Sequence, residues 1–332
     1  MKLGKCAVAF VVTSFLLTGC QNNSKTVTDD GKDVIASLEK GDKTKNILAD
    51  DVFNDIISTA SGKNTYFDAV LQQVIDQKFP VDDDMETDAD ETISQVKNYY
   101  ESNYGEDYEE YLNQALTSSG FESMEQYREY MIQAYQRSNF LLDYVEKNFD
   151  EVYDDYYNQA TPREASIIKI SMSDVENPTE EESAKLAEIQ ALLATSKSFN
   201  DIASEYSDDD NTNKNDGKLG IVDTTSYLSS TYGEAVESEV FALAQDQVSS
   251  AIKGTDGYYF IKVTNSDKDS IKKKIKKDLS IDTPLIAYDN YMYYLAYQSY
   301  NLKYDDKEVE KLVNQIVTEA LEERETSRGG NQ

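Results

Sequence analysis

The feature that most limits what this chain can fold into is a change of period at Thr161-Pro162. Before it, from Asn46 to Tyr157, apolar residues recur at helical spacing with Pro80 as the single proline, the pattern of amphipathic helices. After it, Ile168, Ile170 and Met172 alternate, as residues on one face of a strand do. Beyond Thr264 helical spacing returns. These periods predict an α+β fold, with helices at both chain ends and a small antiparallel four-stranded sheet with its own helices between them.

Within the N-terminal stretch, Phe121, Met124, Tyr127, Met131, Ala134, Leu141, Val145, Phe149, Val152 and Tyr156 predict one long helix. Shorter helices are expected at 50–61, 65–78, 87–103 and 108–118, separated by Gly62, the acidic 81–85 stretch, Gly105 and Gly120. In the central stretch, Thr179 with Glu182 three residues later forms a capping-box pattern. It opens a helix to about Ser196 that buries Leu186, Ile189 and Leu193. A second helix over 199–206, a polar loop over 207–218, a strand over 219–222 and a helix over 234–243 follow. A hairpin closes the segment, with strands at 248–253 and 258–264 and a turn at Asp256-Gly257. Past Pro284, helices are expected at 285–300 and 305–323. Their apolar residues Tyr291, Leu295, Leu312, Ile316 and Val317 need a partner, and the N-terminal helices are the natural one.

The first nineteen residues read as a secretory leader, with Lys2 and Lys5 ahead of an apolar run too short for a stable membrane span. Leu17-Thr18-Gly19-Cys20 resembles a bacterial lipobox. That resemblance implies cleavage before Cys20 and its lipidation, with residues 20–45 as the lipidated cysteine and a polar tether. Multiple acyl chains anchor stably where one does not. Cys6 leaves with the leader, so no disulfide is possible and packing must supply stability.

The formal net charge is −31, from 63 acidic and 32 basic residues. Such a surface repels nucleic acid and anionic headgroups. The chain has no histidine at all, which excludes Ser-His and Cys-His nucleophiles and histidine-ligated metals. The loop from Asp208 to Gly217 has calcium-loop acids, but lacks a glutamate at its twelfth position and reads as solvated. A basic island over 268–277, with Lys268, Lys272, Lys273, Lys274, Lys276 and Lys277, either touches polyanions or pairs with acidic neighbours. There are 25 tyrosines and no tryptophan. Tyr99, Tyr100, Tyr104, Tyr108, Tyr111, Tyr130, Tyr135, Tyr153, Tyr156 and Tyr157 either form a wet aromatic surface or are ordinary half-buried helix positions.

Several motifs carry a resemblance. They are Ala165-Ser166-Ile167-Ile168, the run from Phe199 to Ser207, Gly217-Lys218-Leu219-Gly220, Phe241-Ala242-Leu243 and Gly257-Tyr258-Tyr259-Phe260-Ile261-Lys262-Val263. With the lipobox and the flanking helices, the chain resembles the PrsA-type foldase lipoproteins, which carry a parvulin-type peptidyl-prolyl isomerase domain and share the architecture of SurA-like chaperones. The resemblance implies a helical chaperone region at 46–160, a parvulin-like domain at 161–266, C-terminal helices at 267–325 packing on the N-terminal region, and a disordered tail at 326–332. It puts the family's two cleft histidines at Ile167 and Tyr259, its cleft acid at Asp209, its cleft leucine at Leu219, and the proline-cradling apolar pair at Tyr232 and Val236.

The function implied is that of a foldase lipid-anchored on the outer face of a Gram-positive cell membrane. It would assist secreted proteins after translocation, with Asp209 as the remaining catalytic candidate and isomerase activity weak or lost. Its partners would be unfolded secreted proteins and the membrane through its lipid, with no nucleic acid and no cofactor; homodimerisation stays open. The readings from other classes are a lipid-anchored solute-binding protein and a structural surface protein, and the strand signals are too few for the first.

Overall fold

A computed structural model describes residues 27–40, 43–300 and 302–329. Three strands come first: β1 (Val27–Asp29), β2 (Lys32–Lys40) and β3 (Lys43–Leu48). Helices α1 (Ala49–Ile57), α2 (Ala60–Lys78), α3 (Asp83–Tyr104), α4 (Tyr108–Ser118), α5 (Met124–Lys147) and α6 (Phe149–Ala160) follow. The central segment runs β4 (Arg163–Ser171), α7 (Glu180–Leu193), α8 (Phe199–Tyr206), β5 (Lys218–Val222), α9 (Leu228–Tyr232), α10 (Glu234–Ala242), β6 (Ile252–Lys253) and β7 (Gly257–Asn265). Last come α11 (Lys268–Lys277), α12 (Met292–Gln298) and α13 (Lys307–Gly329). No described helix is long and apolar enough to cross a membrane.

The chain divides into two compact units. One takes residues up to Leu141 and from Tyr291 on; the other is Leu142–Asn290. In the first, Phe67, Leu71 and Ile75 of α2 form a buried stripe, with Met85, Ala89 and Ile93 of α3 and Leu112 and Leu116 of α4 also buried. Both chain ends contribute. Phe67 stacks on Tyr294 at a centroid distance of 4.5 Å, and Lys63 pairs with Glu319 at 2.7 Å.

The segment expected to be a polar tether is a correction. There β1, β2 and β3 form an antiparallel sheet in the order β1-β2-β3. Asp30 and Gly31 both have positive φ, 49° and 78°, and join Asp29 to Lys32. A two-residue Asp-Gly connection of this kind matches the right-handed twist of the flanking strands. Cys20 and residues 20–26 lie outside the described residues.

In the second unit the sheet order is β5-β4-β7-β6, all antiparallel. Both faces are covered. Ile168, Ile170 and Phe260 pack with Ile189 of α7 and Phe199 and Ile202 of α8. On the other face, Ile167, Tyr259 and Ile261 pack with Tyr232 of α9 and Val236 and Val240 of α10. The capping box is present, with the Thr179 hydroxyl accepting from Glu182 N and the Glu182 carboxylate accepting from Thr179 N. A second backbone donor, Ser173 N, reaches the same carboxylate. The Thr179 and Ser173 amides together draw the Glu182 carboxyl down to about 2.

Other expectations change in detail. The single long helix breaks at Asn148, whose φ of −122° and ψ of 27° separate α5 from α6. The apolar spacing runs through the break unaltered, so the pattern alone cannot register it. The strand expected over 248–253 is interrupted: Ile252–Lys253 pair in the ladder and Val248 bridges Lys262, while between them the Ser249 hydroxyl takes the Ile261 amide. The helix expected over 285–300 shortens to α12, preceded by a 3₁₀ turn at Pro284–Ile286. Residues 326–329, expected in a disordered tail, are the last turn of α13.

The basic helix α11 belongs to the sheet-bearing unit, as do residues 142–160. It packs on α6. Lys268 pairs with Asp154 at 2.8 Å and Lys272 with Asp150 at 3.1 Å. Lys268, Lys272 and Lys276 lie over the rings of Tyr157, Tyr153 and Phe149, at 5.4, 5.3 and 4.9 Å from the centroids. Lys274 pairs with Glu164. Four of the six lysines are thus turned onto the protein, which favours pairing with acidic neighbours over contact with polyanions.

Candidate functional site

The residues singled out in the sequence meet on one face of the four-stranded sheet. Antiparallel pairing sets Ile167 opposite Ile261, and the two-residue repeat returns Tyr259 to the same face. Ile167, Tyr259 and Val236 are each fully buried, and Tyr232 is 5% exposed. Leu219 packs against the edge of this cluster from β5. The rings of Tyr232 and Tyr259 meet edge to face, 5.9 Å apart and inclined at 75°.

Asp209 enters from the loop after α8. It is buried, and its Oδ2 accepts from Tyr232 Oη at 3.2 Å and from the Thr212 hydroxyl. The neighbouring Asp208 faces outward instead, pairing with Lys185 at 2.5 Å and accepting from Ser171 N at 3.0 Å. Of two adjacent acids, therefore, Asp209 is the one aimed at the cluster. Loop and strand come very close at Gly217, whose amide carbonyl accepts from Ile167 N at 2.7 Å. A Cβ on Gly217 would stand 2.6 Å from the Ile167 carbonyl oxygen, and its φ is +71°. Only glycine suits both requirements. The loop's carboxylates turn to different partners, with Asp216 bonded to Lys218 and Ser204, and do not converge as calcium ligands would.

Three residues at this site were not singled out by the sequence reading. Asp256 accepts from the Tyr259 hydroxyl and pairs with Lys169 at 2.5 Å. Lys169 shares the Ile167 face by the same alternation, and its pairing opposite Tyr259 could have suggested the contact. The third is Gly254, where a Cβ would stand 2.4 Å from Tyr259 Cε2. The Tyr259 ring thus touches both the bare backbone of Gly254 and the ring of Tyr232.

The electrostatics follow from burial. Desolvation first, then the Asp209 carboxylate, pushes the Tyr232 phenol well above its ordinary value. Desolvation and the hydrogen bond to Asp256 do the same to Tyr259. Partial burial pulls the Asp256 carboxyl upward, but the bonds from Lys169 and Tyr259 outweigh it and hold the group below its ordinary value. Both phenols therefore stay neutral as hydrogen-bond donors. Neither phenol is poised to give up its proton near neutrality.

Residues 167–265 match the rotamase family, described as the PPIC-type PPIase domain. The chain is 26% identical over 327 residues to the foldase protein PrsA of Staphylococcus epidermidis, covering 96% of this chain and 92% of that protein. Against the foldase protein PrsA of Staphylococcus aureus the identity is 25% over 343 residues, with 99% and 97% covered. Along nearly its whole length the chain is thus similar to PrsA foldases, and residues 167–265 carry the match to the PPIC-type PPIase domain. A crystal structure of foldase protein PrsA from Streptococcus pneumoniae aligns with a TM-score of 0.42 at 20% identity, over 86% of this chain and 99% of that one. Ile167 and Tyr259, the two positions at which the sequence resemblance would set cleft histidines, are side chains with no solvent exposure.

Proposed function

We propose that the chain is a lipid-anchored, extracytoplasmic foldase that holds unfolded secreted proteins, and that its parvulin-type domain isomerises prolyl bonds weakly or not at all. The observation that carries the second half is the complete burial of Ile167 and Tyr259. Isomerising an X–Pro bond needs no nucleophile, only a pocket that binds the twisted amide better than the planar one. Uncatalysed exchange takes about 10–100 s at 25 °C, so even modest differential binding would register. A proline ring has to enter an apolar cup to be twisted there. Support for a closed cup comes from the edge-to-face contact of Tyr232 with Tyr259 and from the close approach of the Gly254 backbone to the Tyr259 ring.

Holding clients needs neither nucleotide nor metal. Anchoring through Cys20 rests on the lipobox resemblance, and cleavage there would leave the mature chain tethered by acyl chains. Homodimerisation is proposed on the same family basis.

Two assays on one preparation test the reading. In a protease-coupled assay on a short proline peptide, the chain is expected to add little to the uncatalysed rate. Robust turnover that Asp209→Ala abolishes would overturn the claim of a closed cleft. In an aggregation assay on a refolding client, near-stoichiometric suppression is expected; an inert chain would sink the holding function.

A further inference from the structure

We propose that the tyrosines at the junction of α3 and α4 form a docking strip for extended, arginine-bearing segments of unfolded polypeptide, an inference that rests on the foldase reading and names its client chemistry. The last turns of α3 bury nothing: Ile93 is its final buried residue, and from Ser94 to Tyr104 every position is exposed or half-buried. On α4 the buried face is Leu112 and Leu116, which turns the preceding Tyr111 outward. Tyr99, Tyr104 and Tyr111 are 59%, 40% and 45% exposed.

These rings are nonetheless ordered against one another. Tyr104 stacks on Tyr111 at 4.2 Å and on Tyr100 at 5.6 Å, both inclined at 22°, and Tyr99 meets Tyr100 edge to face at 5.5 Å. No described residue hydrogen-bonds to the hydroxyl of any of the four. Four linked aromatic rings, three of them exposed and Tyr100 half-buried, are a surface that demands an occupant.

The charge around them selects one. Glu101, Glu106, Asp107, Glu109 and Glu110 are exposed, and no described lysine or arginine bridges to any of them. Over residues 97–111 they face only Lys97. A guanidinium stacks on a phenol face and carries the opposite charge to the rim, so one arginine satisfies both features. A neutral glycan would use the rings and gain nothing from the carboxylates. An anionic polymer would be repelled.

The test uses the chain from Gln21 onward, which keeps both compact units, with fluorescein-labelled unstructured peptides read by anisotropy. An Arg/Ser peptide is expected to bind, a Lys/Ser peptide several-fold more weakly, and a Glu/Ser peptide not at all. Binding should weaken as salt is raised, because the contacts are solvent-exposed. Tyr104→Ala/Tyr111→Ala should weaken the Arg/Ser peptide about tenfold, and Glu106→Gln/Asp107→Asn/Glu109→Gln/Glu110→Gln by a similar factor. Tyr104→Phe/Tyr111→Phe, which keeps the rings, should bind as the parent does and so separates lost contacts from lost folding.

Unchanged binding by both the alanine and the carboxamide variants would overturn the inference. So would a neutral glucan oligomer that binds and is lost in the alanine variant. A chain that suppresses aggregation but ignores the Arg/Ser peptide overturns the strip and leaves the foldase reading standing. A chain that does neither overturns both.

Discussion

The described residues form two antiparallel sheets that obey the same pairing rules and live under opposite conditions. The central one is sandwiched: α7 and α8 cover one face, α9 and α10 the other, and Ile167, Ile168, Ile170, Tyr259 and Ile261 have no exposure. The N-terminal one buries no described side chain; Ile35 and Leu38 are 57% and 61% exposed. Its strands keep their ladder and a polar clasp, with Ser37 donating to Asn46 and Asn46 to Asp29, each at 2.8 Å. Hydrogen bonds alone set register in one sheet, while burial fixes register, stability and the site in the other. A one-residue slip of β7 would turn Tyr259 into the opposite core, whereas a slip in β2 would exchange one wet face for another.

The contrast can be broken most directly by truncating one residue on each sheet. Ile168→Ala should destabilise the central unit by about 2–5 kcal/mol in urea melts, and Ile35→Ala should change stability by no more than about 0.5 kcal/mol; comparable losses would erase the distinction. Tyr232→Phe removes one of the two hydroxyl donors to the buried Asp209 and should cost about 1–2 kcal/mol, read in the same melts. Thr179→Ala uncaps the helix that covers Ile168 and Ile170 and should cost about 1 kcal/mol, visible as a lower melting temperature for the central unit. Hydrogen exchange sharpens the comparison without mutation: amides of β4 and β7 should be protected by orders of magnitude more than those of β2 and β3.

The smallest effect is in pH. Because Glu182 is drawn down to about 2 by two backbone amides, its folded-state value lies below its unfolded one. Its contribution is therefore present above the unfolded value and fades as pH falls toward 2. An NMR titration should find its midpoint well below that of ordinary glutamates.

Much of the central unit was legible in the sequence because local signals there agreed with the packing. Thr179 and Glu182 announced their helix, the 168–172 alternation its strand, and the motif positions converged on one face. The first sheet was lost in its polarity. Asp30-Gly31 is a hairpin signal, but it stands among residues that bury nothing, and a polar strand resembles a tether when burial is the criterion. Asn148 was invisible for the opposite reason, since apolar spacing continued on both sides of a change in one residue's dihedrals. The tyrosines divide between both accounts: Tyr153 and Tyr156 are fully buried, with Tyr156 donating to Asp223 at 2.7 Å, while Tyr99, Tyr104 and Tyr111 stand in water. Helical spacing could not tell them apart, because it gives the face and not what covers it. At the site, Asp256 was read as a turn residue and Lys169 was not singled out, so their meeting at Tyr259 was not foreseen.

The contact between Gly254 and Tyr259 makes the order of substitutions matter. A methyl group at 254 collides with the ring while tyrosine remains at 259, and once that ring has been replaced by something smaller its tightest remaining contact is the Tyr232 carbonyl oxygen at 3.3 Å. Mutational routes across this face are consequently directional: the larger partner must shrink before the smaller can grow, and a library that varies one position at a time will find the door locked from one side.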